Sequence, residues 1–314
     1  MKDKKLIIAA VLLPATLLFS GAALAAGRLP VAASGAVPTV QPVQGATCVE
    51  IPVELALSAT DDDNDVVLYQ LTEQPRLGTA VIEGATLTYS PGSKAGKDRF
   101  AYTAVDANGN TAKPAEITVT VEKNKSKLTY ADMTDNPAHY AALRLSAAGV
   151  MTGERIGGCP FFRPNQPVTR SEFIAMAAAI ADLPVEPTES TDFADDSGLS
   201  LWAKPFVSTA AMNGLVSGYR TANGVNEIRG QNPITLAEAS VVLNNMLRAA
   251  ADEVQLAAAD DHATDMDWAQ SAVSSLARID VLSAQTAAQD SSAPITRQTA
   301  CEMLYRTMTL LERP

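Results

Sequence analysis

Residues 167–173 read PVTRSEF, residues 233–239 read PITLAEA, and residues 294–300 read PITRQTA. The three phrases share Pro-(Val/Ile)-Thr, and their threonines (Thr169, Thr235, Thr296) lie 66 and 61 residues apart. A second mark keeps step with the first. Tyr140-Ala141, Trp202-Ala203 and Trp268-Ala269 are spaced 62 and 66, and each pair precedes its threonine by 29, 33 and 28 residues. Two marks in register identify an internal repeat of supersecondary size. Each unit runs from an acidic lead-in (DMTDNPAHYA, DFADDSGLSLWA, DMDWA) into a helix with apolar residues at three- and four-residue steps. A Gly-containing loop follows in the first two units, and the phrase then opens a second helix.

Thr followed three residues later by Glu is a capping box, in which the hydroxyl takes one free amide of the helix start and Glu reaches back for another. Thr169/Glu172 and Thr235/Glu238 fit it, while the third unit has Thr299 in the Glu place. Pro, Thr and Glu are thereby accounted for structurally. The residue after Thr takes no part in the cap. Arg170 and Arg297 stand there, beside backbone amides expected to be free at the positive end of the helix dipole, a setting that suits a carboxylate. A solvated arginine is the plain alternative.

Upstream the pattern changes. Lys2, Lys4 and Lys5, an apolar run from Leu6 to Phe19 and Ala23-x-Ala25 predict a signal peptide over 1–25, too short in its apolar part to span a membrane. A Pro/Ala/Gly-rich linker is expected over 26–44. From 45 to 122 the period is two, as in ATLTYS, RFAYTAV and ITVTV, with turn signals at Pro75–Gly78, Pro91-Gly92 and 106–110. Such short strands predict a small antiparallel sandwich. A basic break at 123–130 separates it from the repeats at 131–184, 191–250 and 264–312.

The net charge of −11 argues against a nucleic-acid binder, since no Lys/Arg-rich face offsets it. The three cysteines (Cys48, Cys159, Cys301) leave at least one thiol unpaired. Enzyme chemistry finds no support. The two histidines, His139 and His262, lack neighbours at metal-ligand spacing, and G-x-S-x-G and a phosphate loop are absent. DDDND (61–65) has Val66 and Thr72 where a calcium loop needs Gly and Glu, so a solvated acidic turn is expected and no metal site or cofactor.

Two resemblances follow from these residues. Residues 45–122, through Ala59-Thr60-Asp61, Pro75-x-x-Gly78-Thr79, Tyr89-x-Pro91 and Phe100-x-Tyr102-x-x-x-Asp106, resemble the immunoglobulin-like and cadherin-like repeats of bacterial surface proteins. The three units resemble S-layer homology (SLH) repeats. The first carries Gly149-Val150-Met151-Thr152-Gly153, Phe162-Arg163-Pro164 and Val168-Thr169-Arg170-Ser171-Glu172-Phe173. The second carries Asp192-Phe193-Ala194-Asp195, Trp202-Ala203 and Gly214-Leu215-Val216-Ser217-Gly218-Tyr219, and the third Trp268-Ala269 and Ile295-Thr296-Arg297.

The resemblance implies a multi-domain protein: an all-β immunoglobulin-like sandwich, then an all-α pseudo-threefold bundle of three SLH repeats. It implies noncovalent attachment to a cell-wall polysaccharide bearing pyruvate ketals, at the cell surface, with other surface-layer proteins as further candidate partners. Arg170 and Arg297 match the family's binding arginine. Tyr140, Trp202 and Trp268 match its aromatic wall, and Gly153, Gly218 and Tyr219 its loop against the sugar. Leu236 replaces the arginine in the second unit, so one groove is expected to be weakened. The sandwich then serves as a spacer or assembly module; the alternative is an adhesin whose sandwich binds an external ligand.

Overall fold

The computed structural model describes residues 35–125, 127–250 and 267–312, without the side chains at 250, 267 and 268. The expected signal peptide and the Trp268 side chain lie outside the described residues.

The alternating segments form two facing sheets. One has the order β2-β9-β8-β5, from Val43–Cys48 (β2), Ala115–Glu122 (β9), Gly96–Asp106 (β8) and Val66–Glu73 (β5). The other has the order β3-β7-β6, from Val53–Ala56, Thr86–Pro91 and Gly78–Glu83, and a short pair joins β1 (Thr39–Val40) to β4 (Ala59–Thr60). Period-two burial places Leu87 and Tyr89 of β7, Phe100 and Tyr102 of β8, and Ile117 and Val119 of β9 in a shared core. The expected linker over 26–44 is therefore shorter. Pro38 and Pro42 punctuate it, yet Thr39 and Val43 already begin strands. The sandwich is also not wholly antiparallel, because β2 pairs with β9 in parallel. These are distant in the chain and share no hairpin, so no tight turn dictates their direction.

The turn before β6 is held from inside the sandwich. Asp98 is buried, and its carboxylate accepts the Arg76 and Leu77 amides at 2.9 and 2.7 Å and the Tyr89 hydroxyl at 2.9 Å. Tyr89 is pushed up from the ordinary tyrosine pKa by burial first and by this carboxylate second.

Beyond residue 130 the chain is mixed rather than all-α. Seven α-helices are found among the described residues: α1 (His139–Ala147), α2 (Arg170–Ile180), α3 (Ala203–Met212), α4 (Leu236–Ala250), α5 (Asp267–Arg278), α6 (Ala284–Ala287) and α7 (Arg297–Leu311). The Gly-containing loops of the first two units fold as hairpins, β10 (Glu154–Ile156) with β11 (Cys159–Phe161), and β12 (Tyr219–Arg220) with β13 (Asn226–Glu227). Gly157 and Gly158 both take positive φ, 58° and 87°, the conformation a two-residue hairpin turn requires. The third unit, lacking such a loop, has α6 there instead.

The repeated phrase closes these units into a ring. Ile234 N–H donates to the Val168 carbonyl at 2.9 Å, Ile295 N–H to Ile234 at 2.9 Å, and Val168 N–H to Ile295 at 3.3 Å. All three side chains are buried in the helical core. Around this triangle the first helix of each unit packs on the second helix of the unit before it in the cycle: α3 on α2, α5 on α4, α1 on α7. The capping boxes are formed at Thr169/Glu172 and Thr235/Glu238, and Thr296 accepts the Thr299 amide at 3.2 Å.

The sandwich and the helical region share packing. Cys48 and Ile51, at one end of the sandwich, belong to the same apolar cluster as α1 and α7. Tyr140 donates from its hydroxyl to Glu122 at 3.4 Å, accepts from Arg144 at 3.2 Å, and meets Tyr305 edge-on at 5.8 Å. All three cysteines are free, Cys48 and Cys301 buried and Cys159 exposed.

Asp98→Ala removes the acceptor of the buried Tyr89 hydroxyl, at about 1–3 kcal/mol for a buried group left unpaired, and of the part-buried Arg76 and Leu77 amides, which water can partly satisfy. The expected outcome is a thermal transition of the sandwich lost or strongly lowered, with Asp98→Asn milder, measured by calorimetry.

Candidate anion-binding grooves

The acidic lead-ins clamp the loops. Asp132 accepts the amides of Phe162 and Arg163 at 2.8 and 2.7 Å, and Asp195 accepts those of Ile228 and Arg229 at 2.8 and 2.7 Å. Each clamp holds an arginine in left-handed backbone, with φ of 63° at Arg163 and 54° at Arg229. Gly153 and Gly218 sit where these loops press on the lead-ins. A Cβ at Gly153 would strike the Phe161 carbonyl and the Tyr130 ring, and one at Gly218 would lie 2.6 Å from Phe193 and 2.8 Å from the Glu227 carbonyl. Both glycines are required by the chain's own packing.

The first-turn amides of the helices are not free, contrary to expectation. Arg170 and Ser171 amides donate to Asn232 and Gly230 carbonyls, each at 2.9 Å, and Arg297 and Gln298 amides donate to Gln166 and Pro164 at 2.7 and 2.9 Å. The ring that joins the units consumes them. Any anion site here must therefore rest on side chains.

Arg170, from the first unit, reaches into the loop of the second. It lines a cavity of about 600 Å³ together with Gly218, Tyr219, Arg220, Arg229, Glu238 and Asn245. Arg170 is 8% exposed, and its Nε has no hydrogen-bond partner. Its Nη1 lies 3.5 Å from Glu238 and 3.4 Å from the Tyr219 hydroxyl, and its guanidinium sits 5.0 Å from the Tyr219 ring. Arg229 approaches the same ring at 4.5 Å. Burial lowers the Arg170 pKa, Glu238 opposes this, and the Arg229 charge adds to the lowering. The lining thus carries Arg170, Arg220, Arg229 and Glu238, with Arg229 also paired to Glu227 at 3.2 Å and the Arg170 Nε, shielded from solvent, without a partner.

Arg297, from the third unit, reaches into the loop of the first and lines a cavity of about 220 Å³ with Gly153, Phe162 and Arg163. Its guanidinium is already engaged, donating from Nε to the Phe162 carbonyl at 2.8 Å and from Nη2 to the Thr152 carbonyl at 2.9 Å. Arg163 pairs with Glu154, which stands where the second loop has Tyr219. The equivalent position in the second unit is Leu236, 2% exposed and part of the helical core.

Of the expected aromatic wall, the two rings among the described residues do not meet at a groove. Tyr140 is 2% exposed and turned to Glu122 and Tyr305, so its ring offers no face to solvent. Trp202 is 50% exposed beside Phe206 on α3 and lines neither cavity. The rings at the grooves are Tyr219 and Phe162 instead. The sequence pattern assigns no binding role to Arg163 or Arg229, although each stands four residues before its Pro-(Val/Ile)-Thr phrase.

In the sandwich, Asp61, Asp65 and Asp106 could together hold a cation, since a ligand oxygen from each lies within 4.8 Å of the others. Asp106 is satisfied by the amides of Asn108 and Asn110, whereas one oxygen each of Asp61 and Asp65 is unpartnered. Desolvation, then the charges of Asp106, Asp61 and Asp63, raise the Asp65 pKa.

Set beside known proteins, residues 28–122 match the family described as bacterial Ig domain. The match stops there, and no S-layer homology domain is matched beyond it. The chain is similar to the surface-layer 125 kDa protein of Lysinibacillus sphaericus, 33% identical over 86 residues, which is 27% of this chain and 7% of that protein. Among solved structures it is similar to the fibronectin(III)-like modules of Clostridium thermocellum CbhA, at 10% identity and TM-score 0.22, covering 28% of this chain and 98% of that one. It is also similar to the SrpA adhesin of Streptococcus sanguinis, at 13% identity and TM-score 0.23, covering 33% and 68%. No helix among the described residues is long and apolar enough to cross a membrane.

A folded-state pKa above the unfolded value means the native Asp65 holds its proton more tightly, so its contribution to stability is present at low pH and lost as pH rises through the folded pKa. An NMR titration is expected to place the Asp65 carboxyl above the ordinary aspartate midpoint, and Asp106→Asn to bring it down.

Proposed function

We propose that this is a non-catalytic cell-surface protein whose three repeats are S-layer homology units. They attach it noncovalently to a cell-wall polysaccharide carrying carboxylates, of the pyruvate-ketal type. The observation that carries the reading is Arg170, nine-tenths buried in the lining of a roughly 600 Å³ cavity, with an Nε donor that nothing among the described residues satisfies. A buried unpaired donor on a charged group is costly, and an acceptor-bearing ligand relieves it. Arg220, and Arg229 in so far as its pairing with Glu227 leaves it charge to share, line the same cavity and add attraction that a neutral sugar would not use. The bacterial Ig domain and the likeness to a surface-layer protein agree with a place at the cell surface.

In this reading one groove binds. The Arg297 groove serves as a tie between the first and third units, and the Leu236 position is closed. The sandwich, packed on α1 and α7 through Cys48 and Ile51, is a fixed extension from the anchor. The net acidity of the chain does not oppose the ligand, because attraction within a groove is screened less than at the surface.

The test is cosedimentation of the exported chain with wall sacculi, native and stripped of polysaccharide. Arg170→Ala is expected to lose pelleting with native walls by about tenfold or more, as for loss of a bidentate charged contact. Arg170→Lys should recover only part of it. Arg297→Ala is expected to lower the melting temperature and to leave pelleting in place below it. Equal pelleting with stripped walls, or full binding by Arg170→Ala, overturns the reading.

A further inference from the structure

The charges around the Arg170 cavity are nearly balanced. Glu238 lies 3.5 Å from Arg170 and Glu227 lies 3.2 Å from Arg229, while Arg220, in the same lining, makes no ion pair among the described residues. Three arginines against two carboxylates leave one positive charge for a ligand to meet. In a partly buried groove a second ligand charge would find no partner, and an unpaired charge in that setting is costly.

Glu238 cannot move aside to change that count. Its Oε2 accepts the Thr235 amide at 2.9 Å and its own amide donates to the Thr235 hydroxyl at 3.3 Å, so the cap of α4 holds the carboxylate in place. Capping alone does not call for a position against an arginine. Glu172 makes the same cap on Thr169 at the start of α2, where its side chain is exposed and pairs with no arginine among the described residues. What the second unit adds is the contact with Arg170, made from a side chain only 19% exposed. The cavity therefore presents a guanidinium and an anchored carboxylate side by side. Asn245 extends the accepting side, because its Nδ2 is used on the Leu215 carbonyl at 3.2 Å and its amide oxygen is left to accept.

We propose that Glu238 is the specificity-determining residue of this groove, selecting a singly charged sugar carboxylate with a free hydroxyl beside it over a doubly charged phosphate ester. The proposal rests on the reading of Arg170 as the ligand's counter-charge. The ligand carboxylate faces Arg170 and Arg220, and the neighbouring hydroxyl donates to Glu238. A phosphate monoester carries about two negative charges at neutral pH. The lining meets only one of them, and the ester's ionised oxygens turn acceptors toward the Glu238 acceptor. A neutral sugar satisfies Glu238 but leaves the spare positive charge unmatched.

Calorimetric titration of the exported chain, at neutral pH and constant salt, compares three probes: methyl glucuronoside, glucose 6-phosphate and methyl glucoside. The glucuronoside is expected to bind at least about tenfold more tightly than either of the others. Glu238→Gln keeps the capping box, which Gln also serves, and removes the charge. With folding checked by circular dichroism, it should move the glucuronoside-to-phosphate ratio about tenfold toward phosphate. Glu172→Gln makes the same change at the exposed cap and should leave the ratio where it was. Phosphate held as tightly as the glucuronoside by the wild type, an unchanged ratio in Glu238→Gln, an equal shift in Glu172→Gln, or no glucuronoside binding overturns the proposal. Arg170→Ala separates this result from the reading beneath it. Wall pelleting that needs Arg170 without the expected sugar preference sinks the specificity alone, whereas sugar binding undiminished by Arg170→Ala sinks the groove itself.

Discussion

Three backbone hydrogen bonds, from Ile234 to Val168, from Ile295 to Ile234 and from Val168 to Ile295, are the constraint on which the helical region depends. They give every letter of the repeated phrase a reason. The Val or Ile supplies both the amide and the carbonyl of the triangle while burying its side chain at the centre. The Thr after it leaves the ring and caps a helix. The Pro before it has no amide to satisfy and stiffens the approach. Because the next two amides of each helix donate to carbonyls of a neighbouring unit, the ring also fixes how the units sit against one another, and it leaves side chains as the only charged groups at the grooves.

That ring sets three equivalent positions, and the sequence uses them differently. Arg170 enters a loop whose facing residue is Tyr219 and keeps an unpaired donor. Arg297 enters a loop with Glu154 in the corresponding place, and its guanidinium is spent on two carbonyls. Leu236 joins the core. The two arginines are identical within their own phrases, and what separates them comes from loops about 49 and 145 residues away in the chain.

Much of the architecture was legible. Period-two alternation located most strands, the twin marks located the repeats, and the Thr/Glu spacing located the capping boxes. What escaped depends on contacts between distant segments. The parallel β2–β9 pair has no turn to announce it, and the hairpins hide in loops too short to show alternation. The family resemblance implies one wall from the aromatic marks, yet among the described residues Tyr140 is claimed by Glu122 and Tyr305, and Trp202 meets only Phe206 as a ring neighbour. The burial of a repeated residue depends on what lies outside its own unit.

The closing bonds also have a consequence for the order of events during synthesis. The carbonyls of Pro164 and Gln166 are met by amides of Gln298 and Arg297, and Val168 by Ile295, so the first unit acquires its full set of partners only after the third has been made. Contacts separated by that much chain close late and slowly. The helical region therefore stays unfinished while it is being elongated, and it locks only once its last helix is free to meet its first loop.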